Sequence, residues 1–347
     1  MVNRTLVGGM ELFATAGNPI PSGAIVSTVR TSDGLNLRVA RWIARPSRGT
    51  VVVAIGRSEF IEQYFEVVVR LLDRGFDAVV MDWRGQGQSD RESRRHRRGH
   101  VSSFAGYRRD LEALERQVLK PLAPTPWFAF GHSMGAAILI EQAHDGRSPY
   151  ERMVLSAPMI GIPLRRKTMI RPLVRLAARL GLGHRLVMGG SEKPVFVLRP
   201  FEDNILTSDR AQYERLEAAV MGLPQLAVGA PTYRWLDCAF DLMARFEHPR
   251  YAVEVLTPIL IIAAGEDRIV DTAATERFAI HLKAGRCITI PNARHQVMME
   301  SEAIVAQFWA AFDAFIPGHA AGEHAHPGPV RHDADRRQVR MPRARSL

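Results

Sequence analysis

Between Ala24 and Pro158 the chain alternates short apolar runs with longer amphipathic stretches, and this alternation predicts most of its architecture. "TVVVAIG", beginning at Thr50, is continuously apolar and closed by a glycine, the pattern of a parallel strand covered on both faces. "FIEQYFEVVVRLLDRG" follows with apolar residues at helical spacing and stops at Gly75. "FDAVVMD" predicts a second buried strand, and "SSFAGYRRDLEALERQVL" a second helix with Ser102 or Ser103 as candidate caps. The unit repeats as "PWFAF", "AAILIEQA" and "RMVLSAP". Ahead of it, "AIVSTVRTSDGLNLRVARWIA" predicts two strands joined at Asp33-Gly34, a strong hairpin signal.

The alternation stops after Pro158. It resumes with the apolar run "PILIIAAGEDRIV", then "TAATERFAIHL" at helical spacing, the short strand "CITI" and a last helix "EAIVAQFWAAFDAF". Such a series predicts an α/β fold, a mostly parallel central sheet with helices on both faces. Residues 159–253 do not continue the series. They are expected to form an inserted, mainly helical lid over the carboxyl ends of the strands, where ligands bind in open α/β sheets. The expected organisation is an irregular lead-in at 1–23, a core at 24–158 and 254–317, the lid at 159–253, and a basic tail at 318–347. That tail is rich in His, Arg, Gly and Pro with almost no large apolar residue, a composition that predicts disorder.

A chain of 347 residues, 46% of them hydrophobic, has ample material for a large core. Cys238 and Cys287 stand far apart in no metal-like or CxxC spacing and read as core thiols of a reducing compartment. No apolar stretch approaches the roughly 18 residues of a membrane span, and the start has no signal-peptide pattern. A cytoplasmic protein is expected, with peripheral attachment to the inner face of a membrane as its one route to the bilayer. The formal charge of +10, nearly all from arginine, suits either a solvated surface or attraction to anionic lipid. Nucleic acid is not expected as a partner, because the basic clusters are not interleaved with aromatics.

Chemistry enters at "FAFGHSMGAAILIEQA". Gly-x-Ser-x-Gly alone is a weak signal in a glycine-rich chain, but here a strand runs into it and a helix runs out. That context makes Ser133 a candidate nucleophile at a sharp turn. Gly131 and Gly135 flank it because neighbouring helix and strand leave no room for β-carbons. A serine hydroxyl needs an imidazole to take its proton, and the imidazole needs a carboxylate to fix its tautomer. In such folds these partners follow in the order Ser, acid, His. Asp267 stands just past the strand "PILIIAAGE", and His295 in the loop after the last strand, "PNARHQVMME". An Asp or a His in a loop is ordinarily a solvated surface residue; here order, loop and residue type coincide. Glu266 and Asp271 compete for the acid role, although Asp271 is better placed as the N-cap of the next helix. His281 falls inside a helix, and the side chain of His132 is expected to point away from the nucleophile. Backbone N–H groups of Met134 and Arg57 are the candidate oxyanion donors. Ile55 precedes Gly56 where a histidine or aromatic is more usual, which leaves the support of that turn open.

Together "GHSMGA", "MDWRGQGQSD", "RGHVSSFAGYRRDL", "GEDRIVD" and "ARHQVMME" resemble the α/β-hydrolases of the bacterial lysophospholipase and monoacylglycerol lipase branch. "AIGRSEFIEQY" and the lid segments "SAPMIGI", "NILTSDRAQYER" and "VGAPTYRW" are more similar to the lysophospholipases. The resemblance spans roughly Ile25 to Ile316. It implies the same nucleophile, acid, base and oxyanion donors, with no metal or organic cofactor, and it implies a serine esterase acting on the acyl ester of a lysophospholipid. A monoacylglycerol or another carboxylic ester is the alternative substrate, and a non-catalytic lipid-binding protein the alternative of a different class. Oligomeric state is not legible. In the turn "DWRGQGQSD", Asp82 and Ser89 are expected to tie the loop. In "PLRRKTMIRPLVRLAARLGLGHRL", Lys167, Arg171, Arg175 and Arg179 share one side of a helix and Met169, Leu173, Leu176 and Leu180 the other, with Pro172 as a candidate break. The expectation is a basic face turned to solvent or to anionic lipid heads, with acyl chains entering beneath.

Overall fold

The first departure from expectation comes at the N-terminus. In the computed structural model, which describes residues 4–7, 10–15, 17–93, 97–164, 167–194 and 200–317, the stretch read as an irregular lead-in contains a hairpin. Strand β1 (Arg4–Val7) pairs antiparallel with β2 (Met10–Phe13). Leu12 is fully buried in the main core. The carbonyl of Glu11 accepts from Arg38 at 2.7 Å and from Gln88 at 3.0 Å. Strands of four residues are too short to show a period, and the Arg38 and Gln88 side chains that hold Glu11 are distant in the chain, so local pattern carried no trace of them. The tail at 318–347 lies outside the described residues.

The apolar runs assemble as expected. The hairpin β3 (Ile25–Arg30) and β4 (Asn36–Trp42) forms one edge, pairing antiparallel. Then come β5 (Thr50–Ala54), β6 (Asp77–Met81), β7 (Trp127–His132), β8 (Arg152–Ser156), β9 (Ile259–Ala264) and β10 (Gly285–Ile290). The eight strands lie in the order β10-β9-β8-β7-β5-β6-β4-β3. β4 meets β6 antiparallel, and every pair from β6 to β10 is parallel. The central strands are buried because helices cover both faces: α1 (Phe65–Asp73), α2 (Ala105–Leu114), α3 (Lys120–Leu122) and α4 (Met134–His144) before the insertion. α2 runs through a π-helical turn at Glu115–Leu119 into α3. Neither Ser102 nor Ser103 caps α2: the N-cap is Phe104, which makes no side-chain capping bond, and Ser103 Oγ only accepts locally from the N–H of Ala105 at 3.2 Å.

Between β8 and β9 the chain carries α5 (Lys167–Ala177), α6 (Arg210–Gly222), α7 (Tyr233–Phe246) and α8 (Pro249–Glu254). After the insertion, α9 (Thr272–Ala279) is capped by Asp271, whose carboxylate accepts from the N–H of Ala274 at 2.9 Å, and α10 (Glu302–Phe315) ends the core. The insertion is pinned to the loop after β10. Arg294 donates to the carbonyls of Asn204 and Thr207 at 3.2 and 3.0 Å, and Ser208 donates to Glu300 at 2.6 Å.

α5 lies the other way up from the sequence expectation. Its arginines turn inward to α7: Arg171 and Arg175 pair with Asp241, and Arg175 also meets Asp237 at 3.4 Å. Its apolar stripe faces out, with Met169, Leu173, Leu176 and, just past its end, Leu180 from 52% to 69% exposed. Two carboxylates on a neighbouring helix hold the guanidinium groups more firmly than water and bulk ions do, and the helix rotates to suit them. Arg179 remains exposed, and the side chain of Lys167 lies outside the described residues. Nor does Pro172 divide the helix; the break comes at Gly181, whose φ of 85° suits a glycine.

Candidate active site

The site is built where β7 ends. Ser133 has φ 51° and ψ −114°, a strained conformation for a residue with a β-carbon. Tight packing imposes it: a β-carbon on Gly131 would lie 2.8 Å from Ala136 Cα, and one on Gly135 only 2.1 Å from the carbonyl oxygen of Ala54. The turn is fixed further by the N–H of Ser133 donating to Ser156 O and that of Met159 donating to Ser133 O, at 3.0 and 3.1 Å. Its hydroxyl is thereby presented at the start of α4.

Two loops supply its partners. His295 Nε2 is 3.0 Å from Ser133 Oγ, and His295 Nδ1 is 2.7 Å from Asp267 Oδ2. The other carboxylate oxygen of Asp267 accepts from the N–H groups of Ile269 and Val270 at 2.7 and 2.9 Å. Burial pushes the Asp267 carboxyl up, but His295 and these two N–H groups together outweigh it, and the group is held below its ordinary value. An ionised carboxylate only accepts, so Nδ1 carries the imidazole proton and Nε2 offers its lone pair to the serine hydroxyl. Of the competing residues, Glu266 and His281 are exposed, and Asp271 is occupied as a cap.

The turn after β5 lies against the start of α4, as the contact of Gly135 with Ala54 requires. Among the described residues, the backbone N–H groups of Arg57 and Met134 find no protein acceptor. Trp83 and Gln86 of "DWRGQGQSD" provide the support that Ile55 leaves open. Trp83 donates to Ile55 O at 2.8 Å, and Gln86 donates to Gly56 O and Glu59 O at 2.9 and 3.0 Å while accepting from Ser58 N at 2.9 Å. Asp82 and Ser89 tie this second loop, Asp82 by accepting from Gln88 N and Ile61 N and Ser89 by donating to the Asp82 carbonyl. Asp82 and Glu62 enclose Arg38, all three side chains fully buried.

Sequence reading took His132 as a structural residue and not the base, which its place behind the imidazole fits, but missed Glu59 beside it. His132 is fully buried; its ring centre lies 4.7 Å from that of His295, and its Nε2 lies 3.3 Å from Glu59 Oε1. Glu59 accepts from Tyr64 OH at 2.5 Å, from Gln296 at 3.2 Å and from the N–H of Gly56. Burial pushes its carboxyl up, and His132, Tyr64 and Gly56 more than reverse the shift. The spacing "GRSE" was the available signal, because it puts a carboxylate three residues after the glycine that it anchors.

Ser133 and His295 open on a cavity of about 240 Å³. Its walls are mainly apolar and come largely from the insertion, including Leu216 and Val220 of α6 and Trp235, Ala239 and Met243 of α7. This arrangement can transfer a proton from a hydroxyl to an imidazole beside two free N–H donors, in a space that accepts a hydrocarbon chain. No helix among the described residues is long and apolar enough to cross a membrane.

Comparison with known proteins shows the family. Residues 45–302 match the family model described as "Serine aminopeptidase, S33". Lysophospholipase L2 of Escherichia coli (strain K12) is 32% identical over 288 residues, covering 78% of this chain and 81% of that protein. The monoglyceride lipase of Rattus norvegicus is 32% identical over 132 residues, 37% of this chain and 41% of that protein. Among solved structures, the monoacylglycerol lipase of Paleococcus ferrophilus superposes with a TM-score of 0.65 at 19% identity, covering 82% of this chain and 99% of that one. The fold is that of the α/β-hydrolases, and the relatives are hydrolases of the lipase and esterase kind.

Proposed function

We propose a substrate class for this chain, which belongs to the S33 serine hydrolase family of the α/β-hydrolase fold: the fatty-acyl ester of a lysophospholipid. In this reading Ser133 is the nucleophile, His295 the base and Asp267 the acid that orients it. Ser133 Oγ attacks the ester carbonyl as its proton passes to His295 Nε2. Negative charge forms on the carbonyl oxygen and is met by the N–H groups of Arg57 and Met134. Collapse expels the glycerophospho-alcohol, which takes the proton from His295. Water then repeats the sequence on the acyl-enzyme and releases the fatty acid. The observation that carries the substrate class is the match to a lysophospholipase along 81% of that protein, through the insertion as well as the core. A monoacylglycerol ester is the second reading, supported by the shorter match to monoglyceride lipase.

Contact with a lipid aggregate, in this proposal, runs through the outward apolar stripe of α5. Arg171 and Arg175 are unsuited to it, because both are engaged by α7. An amphiphilic substrate resides in such aggregates, and a row of exposed Leu and Met on the insertion is what adsorbs to them.

The test is fatty-acid release from a lysophospholipid and from a monoacylglycerol of equal chain length, with Ser133→Ala as control. Faster release from the lysophospholipid, abolished by the substitution, supports the proposal. Preference for the monoacylglycerol transfers the same mechanism to the second reading, and activity on neither overturns both.

A further inference from the structure

The mechanism above uses only the backbone of Arg57, yet its side chain is the least explained group in the cavity. Nη1 donates to Gly229 O at 3.0 Å, and the guanidinium carbon lies 5.3 Å from the centre of the Trp235 ring. Among the described residues no carboxylate lies within ion-pair reach of it. Arg57 is only partly buried, whereas the fully buried arginines are saturated: Arg38 by Glu62 and Asp82, Arg84 by Asp33, Glu92 and Asp110. Burial draws the Arg57 guanidinium down to about 10, with Tyr107 opposing, so it is desolvated but still charged at neutral pH.

The fold keeps space for this cation. A β-carbon on Gly99 would come within 2.7 Å of Arg57 Nη1. Gly99 is itself held by Ala230 and Thr232 of the insertion, at 3.2 and 2.9 Å. A tether to one carbonyl does not require a charge, and a neutral amide would serve it without the desolvation cost. The charge itself lacks a partner, and the remaining N–H groups of its fork are unused by the protein among the described residues.

We propose that the Arg57 guanidinium is the subsite for the phosphate of the substrate's head group, and that it sets the preference for a phosphorylated over an uncharged glycerol ester. One residue then reads both ends of the glycerol unit. Its N–H faces the ester oxyanion, and its side chain, from N to Cζ, spans the same number of bonds as separates an acyl carbonyl carbon from phosphorus across glycerol. The planar fork suits phosphate oxygens, and the apolar surroundings and Trp235 strengthen the pairing by excluding water. This inference rests on the lysophospholipid reading for the source of the phosphate.

The experiment compares wild type, Arg57→Gln and Arg57→Lys in two arms. The first measures kcat/KM for a lysophosphatidylglycerol and for a monoacylglycerol of the same chain length, both below micelle formation. The ratio of the two is expected to fall about 30-fold in Arg57→Gln and to recover in part in Arg57→Lys. Disturbance of the oxyanion turn lowers both rates together and cancels in the ratio, so a ratio constant within about threefold overturns the assignment. The second arm uses hydrolysis of p-nitrophenyl butyrate with glycerol 3-phosphate, inorganic phosphate or glycerol as inhibitor. Glycerol 3-phosphate is expected to inhibit competitively, and about tenfold more weakly in Arg57→Gln. Inorganic phosphate binding as tightly would make this a free-anion site and overturn the head-group assignment. Failure of the lysophospholipid reading has a different appearance: no turnover of the lysophospholipid, with Arg57-dependent inhibition by glycerol 3-phosphate retained. Turnover indifferent to Arg57 keeps that reading and removes the subsite.

Discussion

Replacing Gly135 by alanine tests how closely the chemistry depends on backbone packing. The added β-carbon would stand 2.1 Å from Ala54 O and 2.5 Å from both Ala54 C and Ile55 O. All three are backbone atoms, so no side chain can rotate away. Contact distances in folded proteins require the shortest approach to lengthen by roughly 1 Å, which must come from the end of β5, the start of α4, or both. Overpacking of this kind costs about 3 kcal/mol, which for a domain of this size lowers Tm by roughly 6 °C. The displaced segments carry the N–H groups of Arg57 and Met134, and a misplacement of about 1 Å at a reacting centre costs on the order of 100-fold in rate. Thermal unfolding and hydrolysis of p-nitrophenyl butyrate read the two effects on one preparation. A Gly135→Ala protein within about 1 °C and twofold of wild type would refute the claim that this contact sets the oxyanion geometry.

Four further outcomes are expected. Asp267→Asn should lower kcat by about 10³-fold or more, since an amide can hold the wrong tautomer of His295. Because the Asp267 carboxyl is held below its ordinary value, its stabilisation is complete above the unfolded pKa and is lost as pH falls through the folded one; acid unfolding of the Asn variant should be correspondingly flatter. Arg38→Met strands Glu62 and Asp82, both fully buried, and should destabilise the fold by about 3–5 kcal/mol in urea unfolding. The pair Leu173→Asp and Leu176→Asp should reduce partition to phospholipid vesicles and lower turnover on vesicle substrate more than on a monomeric ester; unchanged partition would rule out α5 as the adsorbing face.

The parts of this fold that were legible in the chain are those whose surroundings are uniform. β5 and β9 are buried from end to end and, Thr50 apart, apolar, because both faces are covered, so no partner need be known to read them. Ser133, Asp267 and His295 were findable because strand order fixes which loops converge, and the structure does bring the three side chains together. What local pattern could not carry was pairing at a distance. The wheel of α5 separates Arg171 and Arg175 from Leu173 and Leu176, but which side turns inward was decided by Asp237 and Asp241 on α7. The β1–β2 hairpin likewise depends on Arg38 and Gln88. Glu59 and His132 were both in view, yet nothing in their spacing says that a carboxylate would settle beside the imidazole under His295.

Three non-glycine residues with positive φ lie at or near the site: Ser58 at 65° and Ser133 at 51° in the cavity wall, and Ala157 at 42° just past β8. Each holds its side chain against a backbone preference of about 1–3 kcal/mol. A lineage that ceased to use this site would be under no pressure to keep that tension, and drift at these positions would run toward glycine, gaining stability as it went. Glycine at the serine position would then mark abandoned chemistry more reliably than loss of the acid or the base, and Ser133→Gly should be the rare inactivating change that leaves the protein harder to unfold.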